Sequence, residues 1–257
     1  MSDTDTVDNK VTSNHKVALI TGSARRIGAF VAEYLHQRDY DVILHYRSSG
    51  DLAKTLRDKL NAQRAHSCIA LHADLADPDA LQQLAEQAKA WKHRLDLLIN
   101  NASSYYPTEL GNTTVEQWND LFSSNAQAPF FLTQALHPLL QASQGNIINI
   151  IDAMATHPNN EFIPYNMAKT TLLTLTRSMA KLLAPTVRVN AVSPGVMLWP
   201  LGDHDPSDEE KQNIVENVPL QRMGTELDIA RTIYFLAQEA PYITGQNIAV
   251  DGGQSLL

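Results

Sequence analysis

The stretch Lys16-Val17-Ala18-Leu19-Ile20-Thr21-Gly22-Ser23-Ala24-Arg25-Arg26-Ile27-Gly28 decides the fold. A short apolar run ends in a glycine turn, and from Ile27 to Arg38 apolar residues return at helical spacing. That pattern is a buried strand feeding a helix. A glycine at such a turn lets the backbone come close to a phosphate. The helix start adds free N–H groups and the positive end of a dipole. A glycine pair by itself is a weak signal, because many strand-to-helix turns contain one.

The same alternation continues along the chain. Asp41–Tyr46, His66–Ala73, Leu95–Asn100, Gly145–Ile151, Thr186–Val192 and Gln246–Asp251 read as strands. Helical stretches cover Asp51–Gln63, Pro78–Trp91, Val115–Ala142 and Tyr165–Ala184. Uniformly apolar strands imply a sheet buried on both faces. Alternating strands and helices imply parallel strands with right-handed crossovers. The expected architecture is α/β: a single-domain Rossmann fold, with a doubly wound seven-stranded parallel sheet and helices on both faces. This domain spans residues 15–257. The polar residues 1–14 lack the apolar core of a signal peptide and read as a disordered tail. Residues 196–221 lack periodicity and contain Trp199, Pro200, Pro206 and Pro219. They are either a substrate loop or a passive surface excursion.

The totals exclude several functions. A net charge of −8 disfavours nonspecific attraction to nucleic acid. No apolar run is long enough to span a bilayer. The single cysteine, Cys68, cannot form an internal bridge, which fits a cytoplasmic location. The nine histidines are scattered without paired ligand spacing, so no metal is expected. There is no Gly-x-Ser-x-Gly elbow of the serine hydrolases.

The second strand ends in His45-Tyr46-Arg47-Ser48-Ser49. An acid there would hold a ribose 2′-hydroxyl and repel a 2′-phosphate. His45, Tyr46, Arg47 and Ser48, helped by Arg25, suit the phosphate instead, which points to NADPH as cofactor. The alternative is a basic loop that binds nothing. Asp41 begins that strand and is poorly placed to select NAD. Asp74 and Leu75 follow the third strand, where an acid can accept an adenine amino group. Asn100-Asn101-Ala102-Ser103 follows the fourth, at the carboxyl edge where ligands collect. Tyr165 and Lys169, four apart, share one helix face. The ammonium is expected to favour the phenolate, making the phenol usable in proton transfer near neutral pH.

Taken in order, Thr21-Gly22…Gly28, Asp74, Asn100-Asn101-Ala102, Asn125, Tyr165…Lys169, Ser193-Pro194-Gly195 and Val250-Asp251-Gly252-Gly253 resemble the short-chain dehydrogenase/reductase family over nearly the whole chain. The resemblance implies a cofactor site through Gly22, Arg25, Arg26, Ile27, Gly28, Asn101, Ala102, Ser103, Pro194 and Gly195. It also places Tyr165 and Lys169 there, with Lys169 on the nicotinamide ribose, and gives Asn125 a water in a proton relay. As a lone helix residue, Asn125 would instead be solvated or back-bonded.

Three departures from the general family pattern are similar to pteridine reductases. Arg26 stands for a glycine. Asp152, thirteen residues before Tyr165, stands for the usual serine. Asn101-Ala102-Ser103-Ser104-Tyr105-Tyr106-Pro107 replaces the commoner Asn-Ala-Gly continuation. An ionised carboxylate has no proton to donate, so Asp152 argues against an ordinary ketone and for a ring nitrogen served by a relay. The implied activity is NADPH-dependent reduction of a pterin or dihydrofolate, with Asp152, Tyr165, Lys169 and Asn125 as catalytic residues. Tyr105 would stack on the ring, and Arg26 would meet the pterin carbonyl and the cofactor phosphate. Ser103 is either a ligand or a turn residue, and Trp199 either lines the pocket or packs the lid. A carbonyl reductase acting on 3-oxoacyl or sugar substrates, and a nonenzymatic NADPH-binding regulator, are the competing readings. A homotetramer packed through the long helices and the last strand is also implied by the resemblance.

Overall fold

The computed structural model describes residues 15–157, 160–199 and 206–256; the tail expected over residues 1–14 lies outside them. Among these described residues seven strands run in chain order: β1 (Lys16–Ile20), β2 (Tyr40–Tyr46), β3 (Cys68–His72), β4 (Leu97–Asn100), β5 (Asn146–Ile150), β6 (Arg188–Pro194) and β7 (Asn247–Val250). All pair in parallel, in the order β3-β2-β1-β4-β5-β6-β7. The expected Rossmann fold is therefore present. The chain winds outward from β1 to β3, then crosses back to β4, so the crevice for a ligand lies where the winding reverses.

Among the described residues eight α-helices flank and follow the strands: α1 (Arg26–His36), α2 (Gly50–Gln63), α3 (Pro78–Ala90), α4 (Val115–Phe122), α5 (Ala128–Ala142), α6 (Ile163–Leu183), α7 (Asp208–Glu216) and α8 (Glu226–Tyr234). Strand side chains alternate between two apolar layers. Ala18 and Ile20 join Val31, Leu35, Ile229 and Ile233 on the α1–α8 face. Val17 and Leu19 join Leu84, Leu132 and Leu136 on the α3–α5 face. Among the described residues no helix is long and apolar enough to cross a membrane.

The segment read as irregular over 196–221 contains α7. Its periodicity is hidden because it buries no residue. A capping box between Ser207 and Glu210 defines its start instead. The expected helix over Val115–Ala142 is continuous but holds a π-helical turn at Ser123–Gln127. That widened turn contains Asn125.

Three buried polar links fix the strands. Asp96 accepts the Val17 N–H at 2.8 Å and the Arg94 guanidinium, tying β4 to β1. Asp41, 1% exposed, is clamped by Arg64 at 3.3 Å and by Lys92, far from the carboxyl edge. Asn100 Nδ2 donates to Asn149 Oδ1 at 2.8 Å, and Asn149 Nδ2 to Thr176 Oγ1 at 2.8 Å, locking α6 onto the sheet.

The approach of α1 to β1 depends on Gly28. A Cβ there would lie 2.5 Å from the Gly22 oxygen and 2.7 Å from Asn101 Nδ2. Both are held groups, so the helix would have to retreat. Gly28→Ala is expected to cost about 1–3 kcal/mol of stability, measured by urea unfolding. An unchanged midpoint would show that the helix yields freely.

Candidate active site

The loops after β1, β2, β4, β5 and β6 meet at the carboxyl edge of the sheet. Gly22 takes φ +64°, a conformation that side chains resist, and a Cβ on it would lie 2.9 Å from the Ala102 Cα. Thr21 secures the junction. Its hydroxyl accepts the N–H groups of Asn101 and Ala102, each at 2.9 Å. Asn101 Nδ2 donates back to the carbonyls of Thr21 (2.8 Å) and Gly22 (3.2 Å).

Two helix starts face this edge without a side-chain cap. Neither Arg25 ahead of α1 nor Ser49 ahead of α2 caps its helix. Uncapped N–H groups at adjacent helix starts suit an anion such as a dinucleotide phosphate. Arg25, Arg47 and Ser48 are exposed there, with Ile27 half-buried and Gly28 buried. Tyr46 packs its ring against His72, with centroids 5.5 Å apart. Asp74 is half-buried and accepts the Ala76 N–H at 3.0 Å, while Leu75 is buried. Pro194 accepts the Ala153 N–H at 2.9 Å, and Gly195 lies so close to Asp251 that a Cβ would sit 2.6 Å from its side chain.

His45 departs from the expected phosphate cluster. It is buried, accepts the Gly22 N–H on Nδ1 at 3.0 Å and donates from Nε2 to the Ala73 oxygen at 3.1 Å. Burial pulls its pKa down to about 4, so the ring is neutral and fully engaged. It is a brace beneath the glycine turn and has no nitrogen left for a phosphate.

The proton-transfer groups converge. The Tyr165 hydroxyl donates to Asp152 Oδ2 at 2.9 Å, and Asp152 Oδ1 accepts the Met154 N–H at 2.8 Å. Lys169, 2% exposed, donates to the Ile150 oxygen at 2.9 Å. Its ammonium lies 5.7 Å from the centre of the Tyr165 ring. The expectation that Lys169 lowers the Tyr165 pKa is corrected here. Burial and then the Asp152 carboxylate push the phenol well above its ordinary value, while burial draws Lys169 down to about 8. Tyr165 is thus a protonated phenol resting on a carboxylate.

Asn125 is 1% exposed and bridges neighbouring loops. It accepts from Ser103 Oγ at 2.7 Å and donates to the oxygens of Ser104 and Leu121, each at 2.9 Å. Tyr105, 51% exposed, stacks on Phe162 at 4.8 Å and meets Tyr165 edge-on at 4.9 Å. Phe162 escaped the sequence reading. An aromatic residue one position before a helix carrying Tyr165 was its only signal. Arg26 adopts φ 54°, where the family's glycine would be unstrained, and donates from Nη2 to the Trp199 oxygen at 3.2 Å. Arg47 pairs with Asp120 at 3.4 Å, and Asp120 also accepts the Tyr106 hydroxyl at 3.1 Å.

A doubly wound sheet with a buried Tyr–Lys pair beside its switch point defines an oxidoreductase. The chain belongs to the short-chain dehydrogenase/reductase family, whose reductases use NAD(P)H. The family profile described as enoyl-(acyl carrier protein) reductase matches residues 22–255. Pteridine reductase 1 of Leishmania tarentolae is 37% identical over 281 aligned positions, covering 93% of this chain and 96% of the relative. The 3-oxoacyl-(acyl-carrier-protein) reductase FabG of Staphylococcus aureus is 34% identical, covering 93% and 97%. An uncharacterized oxidoreductase of Mycobacterium tuberculosis is 36% identical, covering 93% and 91%.

The His45 brace has a pH signature. The folded ring titrates near 4 and the unfolded ring near 6.5, so between these values the unfolded chain binds the extra proton. Stability should fall as pH drops through that window, by about 3 kcal/mol from His45. His36, also drawn down by burial, adds to the same trend. His45→Gln is expected to flatten the slope in urea unfolding between pH 6.5 and 4. An unaltered slope would remove His45 as its source.

Proposed function

We propose that this protein is an NADPH-dependent pteridine reductase, acting on a pterin or dihydrofolate ring. The observation that carries this reading is the Tyr165–Asp152 hydrogen bond at 2.9 Å. A carboxylate offers about four acceptor positions, and Tyr165 and Met154 occupy two. The remainder suit a ligand that brings N–H donors, as pterin rings do. They suit a lone carbonyl oxygen poorly, because both would be acceptors.

The residues fit a nicotinamide dinucleotide. Gly22 and Gly28 give the backbone clearance, and the uncapped starts of α1 and α2 face the phosphates, with Arg25, Arg26 and Ile27 beside them. Arg47 and Ser48 would hold a 2′-phosphate, with Tyr46 packed beneath the loop. Asp74 and Leu75 would border the adenine, and Asn101, Ala102, Ser103, Pro194 and Gly195 the nicotinamide half. Lys169 would hold the nicotinamide ribose. NADPH supplies a hydride when bound.

The protein's own part is the proton. Once the ring carbon is reduced, the adjacent nitrogen becomes strongly basic and can take a proton from a phenol as weakly acidic as Tyr165. Asp152 keeps that hydroxyl aimed and limits its rotation. Asn125, already bonded to Ser103 and Ser104, would position a relay water. Tyr105 presents a half-exposed ring, backed by Phe162, on which a flat heterocycle gains up to about 1.5 kcal/mol beyond burial. Arg26 would reach the pterin carbonyl; its Nη2 also donates to the Trp199 oxygen at 3.2 Å.

The same reading places the protein in the cytoplasm as a homotetramer. Exposed Trp118, Phe130, Phe131 and Met167 on α4, α5 and α6 support packing through those helices. A second reading, NADPH-dependent reduction of a carbonyl, is favoured by the 3-oxoacyl reductase relative.

NADPH oxidation with dihydropterins, dihydrofolate and a panel of ketones and 3-oxoacyl thioesters separates the two. Turnover of dihydropterins is expected. Tyr165→Phe should lower kcat by about a hundredfold or more with NADPH affinity nearly unchanged. Asp152→Ser should cost about a hundredfold in kcat/KM on the pterin. Turnover of ketones alone would assign the protein to carbonyl reduction.

A further inference from the structure

Asp120 takes two donors from two different loops. Arg47, on the loop after β2, brings Nη1 to Oδ1 at 3.4 Å. Tyr106, on the loop after β4, donates its hydroxyl to Oδ2 at 3.1 Å and approaches the Gln117 oxygen at 3.2 Å. The carboxylate sits on a rigid base, because α4 begins with a reciprocal capping box between Thr114 and Gln117.

The geometry of the Arg47 contact is informative. It is long and uses one carboxylate oxygen. A guanidinium has five N–H donors, so most of this one remains available. A carboxylate free to turn takes a guanidinium by two parallel hydrogen bonds, the stronger arrangement. Here the Tyr106 hydroxyl anchors the second oxygen and fixes the carboxylate's orientation, with one oxygen toward Arg47. Arg47 is therefore held loosely at the carboxyl edge, half in solvent, beside the uncapped start of α2.

We propose that Tyr106 is a specificity-determining residue for the nucleotide: by anchoring Oδ2 of Asp120, it holds that carboxylate in an orientation that offers Arg47 only one oxygen and leaves the guanidinium for a 2′-phosphate. This rests on the reading of Arg47 as the phosphate ligand. Tyr106 acts through Asp120 and Arg47, which makes it a positioning residue. It also neighbours Tyr105, so the loop after β4 and the loop after β2 share one carboxylate. Without that anchor, Asp120 would be free to turn both oxygens to Arg47 and compete with the phosphate. NADH, which has no 2′-phosphate, would not notice.

The test is a set of NADPH and NADH dissociation constants from fluorescence titration. The proteins are wild type, Arg47→Ala, Tyr106→Phe, Asp120→Asn and the double variant Tyr106→Phe/Asp120→Asn. Tyr106→Phe is expected to weaken NADPH about fivefold and NADH by less than about twofold. Adding Asp120→Asn should restore NADPH binding to within about twofold of wild type, because the competing charge is gone. Equal weakening of both nucleotides, an unchanged NADPH/NADH ratio, or a double variant as weak as Tyr106→Phe would overturn the proposal. Loss of NADPH preference in Arg47→Ala but not in Tyr106→Phe would overturn it alone. An Arg47→Ala protein with unchanged preference would overturn the phosphate reading as well.

Discussion

One hydroxyl joins the two halves of this sheet. Thr21 accepts two consecutive backbone N–H groups from the loop after β4, and Asn101 returns two hydrogen bonds to the turn after β1. Parallel strands have no tight hairpin to set their ends in register. Something else must hold the open edge where the winding reverses, and this knot does so. Gly22 supplies the left-handed turn beside it, and His45 braces that turn from below. The loops that carry Tyr105 and Asp152, and the π-helical turn that carries Asn125, are placed relative to a boundary fixed in this way.

The electrostatics of the site follow from burial. Tyr165 and Lys169 are both nearly inaccessible, and each is pushed toward its neutral form. A lysine drawn down to about 8 sits close to the point where it can exchange a proton near neutral pH. Its hydrogen bond to the Ile150 oxygen anchors it to the end of β5, just before Asp152. The phenol and the ammonium therefore each feel the Asp152 carboxylate, which raises the phenol further and partly offsets the effect of burial on the ammonium. Hydrophobic walls from Phe162 and Tyr105 keep that exchange out of bulk water on one side.

The strands were legible because a sheet buried on both faces leaves uninterrupted apolar runs. All seven appeared at the expected places, within a few residues at their ends. The same double burial concealed the role of His45: in β2 neither face meets solvent, so residue type alone could not separate a ligand from a brace. Helix α7 was missed because it has no buried face, and periodicity can only report burial. Helical spacing paired Tyr165 with Lys169 and the family resemblance added Asp152; Tyr165 lies 2.9 Å from Asp152, and the Lys169 ammonium 5.7 Å from the Tyr165 ring. Spacing could not say where the Lys169 ammonium points. Asp120 was not singled out from the sequence, because its partners come from loops 73 and 14 residues away.

The π-helical turn at Ser123–Gln127 has a consequence for the whole of the helix around it. One extra residue in a turn shifts all later side chains by about 100° around the axis. The stretch from Val115 to Ala142 is thus two helices in different angular phase sharing one backbone. The first half aims Asp120 at the nucleotide loop, and the second aims Leu132 and Leu136 at the sheet. A regular helix through the same path could satisfy only one of those aims. Deleting a single residue within the widened turn would restore a regular turn and keep the second half facing the core, at the cost of the bulge that holds Asn125.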